Sequence, residues 1–228
     1  MLLVGIIGVV LVGFLISGPQ LWVKRQMRQH SADRPDLPGT GAELAEHLIK
    51  HFGVTGVTVE QTDAGDHYDS EAKAVRLTQQ NYEGRSLTAV AVAAHEVGHA
   101  MQDHNGEAGL KRRHRMVKFA MATDKIASIF FLAAPVLGLL ARTPAAFIGF
   151  AAIGIALLAV RILVHLVTLP VEYDASFGKA LPILKEGGYL ADSDLPAARS
   201  VLKAAALTYV SAAVMSLIDL ARWIRILR

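Results

Sequence analysis

The run His95-Glu96-Val97-Gly98-His99 gathers the residue types that hold and use a divalent metal ion. On a helix, residues four apart share a face, so His95 and His99 project side by side. Two neutral imidazoles at that spacing can bind one Zn²⁺. Glu96 sits about 100° round the helix, close enough to reach a water on the metal without ligating it. Zinc lowers the pKa of such a water to about 7, and a neighbouring carboxylate accepts its proton as the water attacks a carbonyl. His95 and His99 are therefore expected as metal ligands, and Glu96 as the general base. The preceding run, Ala89 to Ala94, is apolar, which predicts a buried pair. Buried imidazoles need partners, and a metal supplies one. The competing expectation is a surface helix that happens to carry two histidines.

A catalytic zinc takes three protein ligands and keeps an open position. The extended three-histidine pattern fails here: Gln102 stands where a glycine belongs, Asn105 where the third histidine belongs, and His104 is one position early. A carboxylate from a later helix is the remaining class. Among the acidic residues downstream, Glu172 is favoured. It lies in Leu169-Pro170-Val171-Glu172-Tyr173-Asp174-Ala175-Ser176, where Pro170 predicts a helix start and puts Glu172 in the first turn. An ordinary glutamate complementing the helix dipole would look the same.

The elements that must position these groups follow from pattern. Residues 1–23 carry no charged side chain and are followed at once by Lys24, Arg25 and Arg28. Charge after the apolar run predicts an uncleaved transmembrane anchor with its N-terminus outside. Residues 24–39 include a polar, proline-containing linker. Thr40 and Glu43 predict a capping box, and Gly53 a helix stop. Val57 to Val59 and Ala74 to Leu77 predict short strands, with a turn over Asp63 to Ser70 between them. Ser86 is the expected N-cap of a helix from Leu87 to about Gln102. The catalytic region is thus expected over 40–118. Two apolar stretches over 119–169, joined at Arg142-Thr143, predict a transmembrane hairpin. Such a hairpin returns the chain, and Glu172 with it, to the side of the histidine pair. Residues 170–203 carry the third-ligand helix and a connecting segment, and 204–228 an apolar helix that is transmembrane or interfacial. The expected fold is mainly α with a small β element plus transmembrane helices.

Composition agrees. Of 228 residues, 53% are hydrophobic, and mean hydropathy is +0.38, high for a soluble domain. The net charge of +3 collects beside apolar segments, at Lys24 to Arg28 and at Lys111, Arg112, Arg113, Arg115 and Lys118. The positive-inside rule then places the site on the cytoplasmic side. The basic residues do not interleave with aromatics and no nucleic-acid motif occurs, so no nucleic-acid partner is expected. With no cysteine, disulfides are excluded and a metal site must use His and carboxylates.

Four runs in combination carry a resemblance: Asp66-His67-Tyr68-Asp69, Val75-Arg76-Leu77, Ala91 through Ala100, and Pro170 through Ser176. Together they resemble the YugP-like neutral zinc metallopeptidases of bacteria over nearly the whole chain. The resemblance implies a zincin-like α+β catalytic domain and a multi-pass enzyme of the prokaryotic inner membrane. It also implies one Zn²⁺ per chain held by His95, His99 and Glu172, with Glu96 catalytic. Its partners would be a peptide or membrane-protein substrate, the lipid bilayer, and membrane proteins or further copies of the chain. The site is also similar to that of HtpX-type and CAAX-processing membrane peptidases, whose Glu-x-x-Ala-Asp pattern orients a zinc histidine through its Asp. Here Ala175 matches but Ser176 stands at the Asp position, so Asp174 and Ser176 are the candidates for that contact. In a zincin, Ala74 to Leu77 would pair with an extended substrate, and His67 and Tyr68 would line the cleft or stabilise the oxyanion. Two other functions compete: a catalytically silent zinc-binding membrane scaffold, and a site-2-type intramembrane protease. The latter needs an Asp-Gly ligand motif, and Asp124 and Asp219 are followed by Lys125 and Leu220.

Overall fold

The computed structural model describes residues 18–140, 143–210, 213, 216 and 217. The described chain is mainly helical with one small three-stranded sheet. A helix occupies residues 18–29 (α1). It leads to α2 (Gly41–His51), whose start is the expected capping box. Glu43 N–H donates to Thr40 Oγ1 at 3.2 Å, and Thr40 N–H donates to Glu43 Oε2 at 2.7 Å. Gly53, at φ +63°, ends that helix in a conformation that costs other residues strain.

The sheet holds β1 (Thr58–Thr62), β2 (His67–Asp69) and β3 (Ala74–Thr78), in the order β1-β3-β2. β1 runs parallel to β3 and β2 antiparallel to it. The stretch expected as a turn thus contains a third strand. Three half-buried residues show no alternation by which sequence could reveal them. Tertiary contacts define β2 instead. Asp66 accepts from Thr78 N–H, Thr78 Oγ1 and Asn81 Nδ2, tying the start of β2 to the end of β3. Asp69 accepts from Glu71 and Ala72 N–H and closes the turn back to β3. One expectation is overturned: β3 is paired on both sides and has no edge left for a substrate.

After the short α3 (Gln79–Tyr82) comes α4 (Leu87–His104), capped as expected, with Ala89 N–H donating to Ser86 Oγ at 3.1 Å. It runs two residues beyond the expected end. Only Met101, Asp103 and His104 of its side chains escape full burial. A helix apolar all round is a core helix, and α4 is packed by α2, the sheet and the C-terminal helices. Its alanines keep those neighbours close.

Two long helices follow, α5 (Ala108–Leu140) and α6 (Pro144–Tyr173), packed along one another. Residues 141 and 142 of the expected outer turn lie outside the described residues. Pro170 does not start a helix but lies inside α6. It removes one N–H from the helical ladder, and within four residues the chain changes to a π-helix, Asp174–Ala180. α7 (Leu181–Glu186) continues from it, and α8 (Leu195–Ala206) packs its buried Ala198, Val201 and Leu202 into the core beside α4. Among the described residues one helical stretch, Ala152–Glu186, is long and apolar enough to cross a membrane. Residues 1–17 of the expected anchor, and most of the expected C-terminal helix beyond 210, lie outside the described residues.

Replacing the capping hydroxyl tests the start of α2. Thr40→Ala should lower the unfolding free energy by about 1 kcal/mol, measured by denaturant titration, and leave the metal content of the folded chain unchanged.

Candidate metal centre

α4 presents His95 and His99 one turn apart, their ring centroids separated by 4.7 Å. Glu172, near the end of α6, places Oε2 at 3.3 Å from Nε2 of each ring. All three side chains are buried, and their ligand atoms lie within 4.8 Å of one another. The Nδ1 atoms point away, each to a partner: Ser176 Oγ at 3.0 Å for His95 and Gln102 Oε1 at 2.9 Å for His99. Two nitrogen lone pairs and one carboxylate oxygen thus converge on one point. Glu172 Oε1 is buried and makes no hydrogen bond among the described residues. Arg113 Nη1 lies 2.9 Å from it, near enough for an ion pair but off the hydrogen-bonding direction. A carboxylate this dry needs positive charge beside it. Two imidazoles and a carboxylate are the donor set of a divalent ion of the zinc type, so the residues fit one.

Backbone contact brings these groups together. A Cβ added to Gly98 would lie 2.9 Å from the Ala175 carbonyl oxygen, so α4 meets the π-helix backbone to backbone. At that distance Ser176 reaches His95, while Glu172, four residues earlier, reaches both rings. Glu96 sits beside them in a cleft of about 440 Å³. Burial pushes its carboxyl up to about 7; His95 opposes the shift and the Glu172 carboxylate adds to it. A cation between the histidines would pull it back down. The cleft is walled by His67 and Tyr68 of β2, Arg113 and His114 of α5, and Tyr209 beyond α8.

Over residues 4–228 the sequence matches a family model described as "Putative neutral zinc metallopeptidase". The chain belongs to that family. A relative in Bacillus subtilis (strain 168), "Putative membrane protease YugP", is 35% identical over 209 residues, 91% of this chain and 89% of the relative. The resemblance drawn from the four sequence runs is therefore borne out. No solved structure matches the chain.

For a neutral zinc metallopeptidase the placement of each expected residue is informative. His95, His99 and Glu172 gather, and Glu96 opens onto the same cleft. Ser176 takes His95, as its place in the expected pattern suggests. Asp174 touches neither ring; it accepts from Gln102 Nε2 at 2.8 Å and from Lys179. His67 and Tyr68 line the cleft from β2, but their donors are committed. Tyr68 donates to Asp103 at 2.8 Å, and His67 Nδ1 donates to the Gly65 carbonyl at 2.8 Å. His165 turns its ring toward Tyr209 and buries Nδ1.

Three residues escaped the sequence reading. Gln102 stands at a failed glycine position and at the expected helix end, yet it lies three residues from His99 on the same helical face. In the sequence Arg113 is one of a cluster of basic residues beside an apolar segment, and Tyr209 lies in an uncharged stretch. Arg113 Nη2 donates to Tyr209 Oη at 2.7 Å across 96 residues, a link that spacing could not reveal.

Gly98→Ala should lower the unfolding free energy by about 1–3 kcal/mol, because the new methyl must push the π-helix away. Chemical denaturation of the purified protein checks this; an unchanged midpoint would refute the close contact.

Proposed function

We propose that the chain is a membrane-bound zinc metalloendopeptidase whose single zinc ion is held by His95, His99 and Glu172. The observation that carries this is the convergence of the two Nε2 atoms and Glu172 Oε2 beside a fourth polar group, Glu96, in an open cleft. Zinc in that position would act as the Lewis acid that peptide hydrolysis needs. The remaining work falls to the chain. Glu96, held in a dry wall of the cleft, takes a proton from the attacking water and returns it to the amide nitrogen as the C–N bond breaks. Arg113 engages Glu172 Oε1 and leaves Oε2 turned to the histidines. Tyr209 receives a hydrogen bond from Arg113, so its own hydroxyl proton is directed elsewhere. Facing the cleft, it can donate to the carbonyl oxygen as negative charge develops there. Tyr68, with its proton on Asp103, cannot take that role. An extended substrate pairs with β2, the strand that lines the cleft and lies at the sheet edge.

The membrane assignment is supported by three observations. The stretch Ala152–Glu186 is long enough to span a bilayer. Large apolar side chains are exposed along both arms of the hairpin, among them Phe119, Ile126 and Ile129 on α5 and Leu163 and Leu166 on α6. The relative's name also contains "membrane protease". Exposed apolar surface of this kind suits lipid. The cations of Lys24 to Arg28 and Lys111 to Lys118 support a cleft on the cytoplasmic face of a prokaryotic inner membrane, with peptides or membrane proteins as substrates.

Glu96→Gln should keep about one zinc per chain and lose about 10²–10⁴-fold in peptide cleavage, measured on detergent-purified protein. Cleavage at the parent rate would refute the general base. A zinc-loaded parent that cleaves nothing in a broad peptide panel would point to the scaffold instead.

A further inference from the structure

Gln102 is 1% exposed, and both ends of its amide are engaged. Nε2 lies 2.9 Å from the Val171 carbonyl oxygen and 2.8 Å from Asp174 Oδ2. Both neighbours are acceptors, so the amino end must face them and the carbonyl end must face His99. Oε1 sits 2.9 Å from His99 Nδ1 and can only accept. His99 therefore carries its proton on Nδ1, and Nε2 keeps its lone pair for the metal. The arrangement extends outward. Asp174 also accepts from Lys179 Nζ, which lies 2.9 Å from Glu107 Oε1. The lysine side chain is only 13% exposed, so this charge is held inside the fold. Every link has one sense: Lys179 donates to Glu107 and Asp174, Gln102 to Asp174, and His99 to Gln102.

We propose that Gln102 is a positioning residue that locks His99 into its Nδ1–H tautomer and ring orientation, and that Asp174 with Lys179 holds the Gln102 amide in the required sense. This rests on the metal site proposed above. His95 is served differently. Ser176 offers a hydroxyl that can turn to donate or accept, so that contact holds the ring without dictating its proton. A carboxylate in place of Gln102 could accept from His99 but would set its other oxygen against the Val171 carbonyl and Asp174. An amide satisfies all three neighbours at once.

The test uses the full chain in detergent. The zinc dissociation constant is measured by competition with a chromophoric chelator, and the visible spectrum is recorded after Co²⁺ replacement. Gln102→Leu and Asp174→Leu should each weaken zinc binding by about 10–100-fold and shift the cobalt bands. Asp174→Asn, which keeps an oxygen to accept from Gln102, should stay close to the parent in both. A Gln102→Leu protein with parental affinity and spectrum would overturn the proposal. So would Asp174→Asn as weak as Asp174→Leu, since charge and not the acceptor would then matter. If Gln102→Leu does not fold, the two Asp174 variants decide. A parent that binds no zinc would sink the metal site and this inference with it. A zinc-loaded parent with indifferent variants would sink this inference alone.

Discussion

Setting a carboxylate in a dry pocket between two imidazoles is the constraint on which the rest of this structure depends. Desolvating such an anion costs several kcal/mol unless positive charge is supplied. The fold meets that cost from two sides. Arg113 stands against one oxygen of Glu172, and the two Nε2 atoms face the other, an arrangement that a shared cation would complete. Remove the geometry and Glu172 becomes an uncompensated buried charge. The elements around it are arranged so that it cannot move away.

Three features do the arranging. The all-round apolar character of α4 sinks the histidine pair into the core, where a polar ring needs a partner on each nitrogen. Glu172 near the end of α6 and Ser176 in the π-helix, four residues apart on one face, both reach His95. Gly98 lets that segment approach without an intervening side chain. Local irregularity of this kind is common at functional sites. Here it supplies Ser176, which reaches the His95 ring. The long pair α5 and α6 joins these features, carrying the chain out from Arg113 and back to Glu172.

Much of this was legible beforehand, and the reasons are local. The capping box at Thr40 and Glu43, the stop at Gly53 and the Ser86 cap each depend on residues a few positions apart. The burial of His95 and His99 followed from the apolar run before them. What could not be read depended on partners far along the chain. β2 exists because Asp66 reaches Thr78 and Asn81. Pro170, a helix starter by local rule, lies inside α6, which already runs from Pro144. Gln102, beside His99 on one helical face, could have been noticed, but its second set of partners, Val171 and Asp174, could not.

By itself the sequence determined the chemistry: two imidazoles on one helical face, a carboxylate next to the first, and a glutamate returned by a hairpin. These are matters of residue type and helical period, which the chain carries wherever it folds. Only the tertiary structure decided which atoms meet. It turned both Nδ1 atoms outward to Ser176 and Gln102, committed Tyr68 to Asp103, and brought Arg113 between Glu172 and Tyr209. Hydrogen bonds act over about 3 Å, and residues as far apart as Tyr68 and Asp103 or Arg113 and Tyr209 come that close only when the whole core has packed.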